Sequence, residues 1–114
     1  FYAAGFGTGE GYAANVVNGL LIDLDNNKVK WYKNGSLHVT MPDDGGGSTM
    51  QTSGYAFPYI APYGSGYTIN VNFGGYTAQT VSSGNTDPNG YGNFEYAPPS
   101  GYYALCTKNL AEFG

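Results

Sequence analysis

Asp23-Leu24-Asp25-Asn26-Asn27 places oxygen-bearing side chains at alternate positions, as the start of a calcium loop does. An EF-hand-type loop takes oxygen ligands at positions one, three and five, glycine at six and a bidentate glutamate at twelve. Counted from Asp23, Asp25 and Asn27 satisfy the third and fifth positions, but Lys28 replaces the glycine and Asn34 the glutamate. The sharp bend and the strongest ligand are both missing. Asp23 and Asp25 are therefore expected on the solvent face of a strand, with Asn26-Asn27 as the bend. Nucleophilic catalysis would need the only histidine, His38, beside Cys106 or a serine and oriented by a carboxylate. No spacing supports that pairing, and Cys106 is expected to be a small core residue. Glu10, Glu95, Glu112, Asp43, Asp44 and Asp87 could supply a glycosidase pair. They lie in loop-like sequence, where carboxylates are expected to be solvated. One histidine and one cysteine cannot build a structural zinc site of the usual kind. Gly5, Gly7, Gly9 and Gly11 depart from the dinucleotide-binding spacing and lack its flanking strand and helix. No catalytic, metal-ligating or cofactor-binding residue is assigned.

A recognition surface is better supported than a reaction. Tyrosine, glycine, serine and asparagine in loops combine rigid aromatic area with adaptable hydrogen bonding. The candidates are Tyr55, Tyr59 and Tyr63 near a proline-punctuated segment, and Tyr76 and Tyr91 on a long loop. Tyrosine also caps small cores, so at least half of the 12 are expected to be mostly buried.

These residues must be positioned by a small, turn-dense framework. The chain has 114 residues, enough for one domain. It carries 19 glycines and only 11% charged residues, which together with the tyrosines indicates an all-β class. Net charge is −4 and the four basic residues are dispersed, whereas a phosphate-tracking surface needs clustered cations. No nucleic-acid partner is expected. No apolar run approaches the roughly 18 residues of a membrane span, so no membrane partner is expected either. The single cysteine leaves no intrachain disulfide. The sequence opens on Phe1 and is expected to be an internal piece of a longer chain.

Residues 16–25 carry the clearest strand signal. Leu20, Ile22 and Leu24 fall on one face by the two-residue period, opposite Leu21, Asp23 and Asp25. Residues 28–33 follow, with Val29 and Trp31 on one face, then an Asn34-Gly35 turn and a third short strand over 37–41. Residues 42–54 have loop composition. Pro58 and Pro62 make the next segment an edge or irregular strand. Tyr67, Ile69, Val71 and Phe73 alternate with polar residues and predict a half-buried strand. A loop spans 75–92, and the apolar run 102–106 is expected to pack on the sheet. No long helix is expected.

The order of these motifs resembles the SPRY domain. "NGLLIDLDNNKVKWYKNG" is similar to its central hairpin, and "YAFPYIAPYGSGYTINVNFG" to its aromatic-proline strand and the following Phe-Gly strand. "FEYAPPSGYYALCTKNLAE", with its Pro-Pro-Ser-Gly turn, resembles the closing segment of SPRY-like modules in phage and other viral proteins. The resemblance covers about residues 16–110. It implies a bent antiparallel β-sandwich, a concanavalin-like jelly roll used for binding and not for catalysis, spanning 1–114 as one domain. The family's first strands have no counterpart in these residues and would come from further sequence or a neighbouring subunit. The function implied is a non-catalytic module of a virion, packing against neighbouring protein subunits in an oligomeric assembly. The alternatives are a lectin-like module stacking a surface glycan on loop tyrosines, and a cellular SPRY adaptor that reads a peptide. No cofactor is implied.

Overall fold

The computed structural model describes residues 15–42, 60, 66, 68–75 and 80–114. The chain divides into two compact units, Phe1–Pro58 and Tyr59–Gly114. Regular structure among the described residues comprises three antiparallel strands in the first unit and one short helix in the second. That composition is compatible with the all-β class.

The first unit holds a meander in the order β1 (Asn18–Asp23), β2 (Lys28–Lys33), β3 (Ser36–Met41). The register pairs Leu20 with Trp31 and Ile22 with Val29, and then Trp31 with Val39 and Val29 with Met41. One sheet face therefore carries all six of these apolar side chains, because alternate residues of a strand share a face. His38 is the extra residue where the β2–β3 pairing shifts between Trp31 and Tyr32.

The two hairpin turns differ. Asn34 and Gly35 adopt φ of 49° and 79°, the left-handed pair that a two-residue hairpin requires. The first turn is longer than expected, running from Leu24 to Asn27. Leu24 and Asp25 thus leave the strand, and Leu24 is exposed instead of joining the apolar face. Asp23 is not an idle solvent-face residue, since its carboxylate accepts from the Asn26 backbone N–H and from Asn26 Nδ2, both at 2.9 Å. These bonds hold the turn closed and, led by the side-chain one, keep the Asp23 carboxyl below its ordinary range.

In the second unit the segment expected as a strand is irregular over 68–73, and Ile69, Val71 and Phe73 are exposed. Side-chain bonds occupy its backbone neighbourhood. Asn72 Nδ2 donates to the Asn93 carbonyl at 2.7 Å, while Asn72 Oδ1 accepts from the Gly74 N–H at 2.8 Å. Gly74, buried with φ of +101°, has space for no side chain, because a Cβ would lie 2.8 Å from Ala104 Cβ and 2.9 Å from Phe94 Cζ. The Pro-Pro-Ser-Gly turn forms as expected, with Tyr102 N–H donating to the Pro99 carbonyl and Gly101 at φ +86°.

The chain ends in α1 (Thr107–Phe113), an element the apolar run before it did not suggest. Seven residues make a marginal helix on their own. Its anchor is Asn109, the one buried helical side chain. Cys106 precedes it as a free N-cap residue in extended conformation, half-buried and not in the core.

Candidate functional site

Two features could serve function, one in each unit. The first is the apolar face of the sheet, which is covered unevenly. Met41 on β3 is 6% exposed; Val29, Trp31 and Val39 are half-buried; Leu20 and Ile22 on β1 are 46% and 41% exposed. Cover is lost stepwise toward β1. Fully burying a leucine or isoleucine is favourable by about 1.5–3 kcal/mol, so each half-exposed side chain retains roughly 1 kcal/mol for a partner. Among the described residues β1 is also an edge of the three-stranded sheet. Within Asn18–Asp23 no lysine or proline blunts that edge, and both are residues by which proteins discourage strand addition. The indole N–H of Trp31 donates to Asn18 Oδ1 at 3.1 Å, tying β1 to β2 on this face.

The second feature is the carboxylate of Asp87, expected to be solvated but 4% exposed. Oδ1 accepts from the backbone N–H groups of Asn89 and Tyr91, both at 2.9 Å. Oδ2 accepts from the Ala104 N–H at 2.8 Å and from Asn109 Nδ2 at 2.6 Å. Burial raises its proton affinity most strongly, but the four hydrogen bonds together outweigh that and hold the carboxyl below its usual value. Asn109 Nδ2 also donates to the Ala104 carbonyl, and its Oδ1 accepts from Asn89 Nδ2, both at 2.9 Å. Both oxygens of the carboxylate and both N–H groups of Asn109 Nδ2 are thus spent within the protein. The cluster fastens the 87–91 turn, the 102–106 run and α1 to one another, and its four hydrogen bonds occupy the carboxylate that a ligand would need. The turn carries a signal that the reading of 75–92 as one loop passed over: Asp87-Pro88-Asn89-Gly90 is the composition of a type I turn, and Gly90 N–H donates to the Asp87 carbonyl at 2.9 Å.

Of the five tyrosines singled out as contact residues, Tyr55, Tyr59, Tyr63 and Tyr76 lie outside the described residues. Tyr91 is half-buried. Its hydroxyl donates to Glu112 Oε2 at 2.6 Å, which raises the phenol above its ordinary value, and Lys108 Nζ sits 4.8 Å from the ring centroid. Among the described tyrosines Tyr32, Tyr91 and Tyr102 are half-buried, and Tyr96 and Tyr103 are exposed. Glu95 accepts from the Ser82 hydroxyl and, at 2.7 Å, from the Ser82 N–H. The hydroxyl bond is the largest cause of its lowered carboxyl value. His38 is exposed on β3. Among the described residues no three of His, Cys, Asp and Glu converge as metal ligands. Asn27 Oδ1 is buried without a hydrogen-bond partner, and no physical account of it follows from its surroundings.

No protein-family model, curated protein or solved structure matches this chain.

Proposed function

We propose that the chain is a non-catalytic, SPRY-like β-sandwich module of a viral structural protein, a phage virion component that packs against neighbouring subunits. One observation carries the packing role: an apolar sheet face whose cover is lost toward an unblunted edge strand, with Leu20 and Ile22 exposed. The occupant is a neighbouring protein subunit that contributes a strand. It would satisfy the outer β1 backbone and extend the apolar face across Leu20 and Ile22, which is strand addition at a sheet edge. The virion context and the sandwich rest on the resemblance of the central hairpin and the closing segment to SPRY-like modules. The segment holding Ile69, Val71 and Phe73 supports the same role, since an exposed row of alternating apolar residues suits a sheet completed elsewhere.

The test is the assembly state. Sedimentation of the protein over a wide concentration range should give association, and Leu20→Lys with Ile22→Lys should abolish it while the far-ultraviolet circular dichroism is kept. A monodisperse monomer at every concentration would sink the packing role. Glycan-array binding that survives the double substitution would favour the lectin-like alternative.

A further inference from the structure

The chain contains three Asn-Gly pairs, Asn18-Gly19, Asn34-Gly35 and Asn89-Gly90, and all lie among the described residues. Such a pair can modify itself. The glycine backbone nitrogen attacks Cγ of the asparagine, a C–N bond forms as the Cγ–Nδ2 bond breaks, and the displaced nitrogen leaves as ammonia with the glycine's proton. The five-membered imide then takes up one water at either carbonyl, giving aspartate or isoaspartate. The step needs a free nucleophile, a free leaving amide and a polarised carbonyl, and the fold grants these unequally.

At Asn89 both reacting groups are tied. Gly90 N–H, the nucleophile, donates to the Asp87 carbonyl at 2.9 Å, and Asn89 Nδ2, the leaving group, donates to Asn109 Oδ1 at 2.9 Å. Asn18 and Gly19 are held in the β1–β2 ladder opposite Lys33 and Tyr32, and the nearest atom to a Cβ on Gly19 is Tyr32 Cβ at 3.3 Å. Asn34 and Gly35 are exposed in the two-residue turn. Gly35 N–H and Asn34 Nδ2 donate to no acceptor among the described residues. Asn34 Oδ1 accepts from the Val17 N–H at 2.9 Å. That bond lies on the oxygen where negative charge develops during attack, so it assists the step and need not break.

We infer that Asn34 is the site at which this protein deamidates, converting to an acidic residue beside Lys33 while Asn89 and Asn18 are protected by the fold. Aspartate retains an acceptor for Val17. Isoaspartate adds a backbone carbon to a two-residue turn, which is incompatible with the Lys33–Ser36 pairing that closes it.

The experiment is peptide mapping by mass spectrometry of the intact chain aged in mildly alkaline buffer, with and without denaturant. Each hydrogen bond that must open slows conversion about fivefold to tenfold, so two of them should leave Asn89 about 25- to 100-fold slower than Asn34 in the native protein. In denaturant the three sites should converge to similar rates. Native conversion of Asn89 or Asn18 as fast as that of Asn34 overturns the inference. So does a native Asn34 rate suppressed, relative to denaturant, as strongly as that of Asn89. The comparison uses no substitution, and its Asn34-against-Asn89 arm involves no residue of β1.

Discussion

Removing the Asp87 carboxylate tests the second unit at the point where the 87–91 turn, the 102–106 run and α1 are fastened together. Asp87→Ala strands four donors, but not equally. Asn89 and Tyr91 are half-buried, so water can replace the carboxylate on their N–H groups. Ala104 and Asn109, at 5% and 8% exposure, cannot be reached so easily. An unsatisfied buried donor costs about 1–3 kcal/mol, so two of them make the substitution cost about 2–6 kcal/mol. Against a typical net stability of about 5–15 kcal/mol, that is a large share. Asp87→Asn keeps the shape but turns an NH2 group toward N–H donors, and should fall toward the lower end of that range. The assay is urea unfolding followed by near-ultraviolet tyrosine dichroism, with amide exchange at Ala104 as the local readout. The acid limb gives a second check. Because the folded carboxyl is held below its ordinary 3.8, its stabilisation is complete above that value and lost as pH falls through the lower, folded one. Asp87→Asn should remove that part of the acid slope. A cost under about 0.5 kcal/mol for Asp87→Ala, the level of an ordinary surface change, with Ala104 exchange unaltered, would refute the reasoning.

Other expectations are simpler. Gly74→Ala should cost at least about 1–3 kcal/mol by thermal or urea melts, since its methyl would collide with Ala104 and Phe94. Gly101→Ala meets no neighbour within 4 Å and should cost only about 1–2 kcal/mol, the left-handed backbone strain. Trp31→Phe loses the indole bond to Asn18 and should destabilise the hairpin by about 0.5–1.5 kcal/mol, read by fluorescence-free dichroism melts. Tyr91 should ionise above its ordinary value because its hydroxyl donates to Glu112; Glu112→Gln should bring the titration back down, followed by the ring carbon resonance.

Much of the first unit was legible because its determinants are local. The alternation of Leu20 and Ile22 against Val29 and Trp31 specifies which residues share a face, and the pairing keeps them on one face although β1 sits two residues from the register that a bend at Asn26-Asn27 implies. Asn34-Gly35 specifies a two-residue turn through the positive φ both residues tolerate. The Leu24–Asn27 turn was misplaced by two residues because Asp23 closes it with its own side chain, an interaction that period counting does not register. The alternation of Ile69, Val71 and Phe73 predicted a strand, yet a strand needs a partner's backbone, and Asn72 spends its side chain on that backbone instead.

What the sequence alone determined was therefore the meander, the residues that share its apolar face and the Asn34-Gly35 turn, all set by residues within a few positions of one another. Tertiary structure decided the fate of the polar residues and the openness of the apolar ones. Asp87 resembled any loop carboxylate until Ala104 and Asn109, 17 and 22 residues away, closed over it with matching donors. Leu20 and Ile22 have the pattern of a core face, but the cover that buries Met41 does not extend to β1. Periodicity states which way a side chain points; only packing decides whether anything meets it.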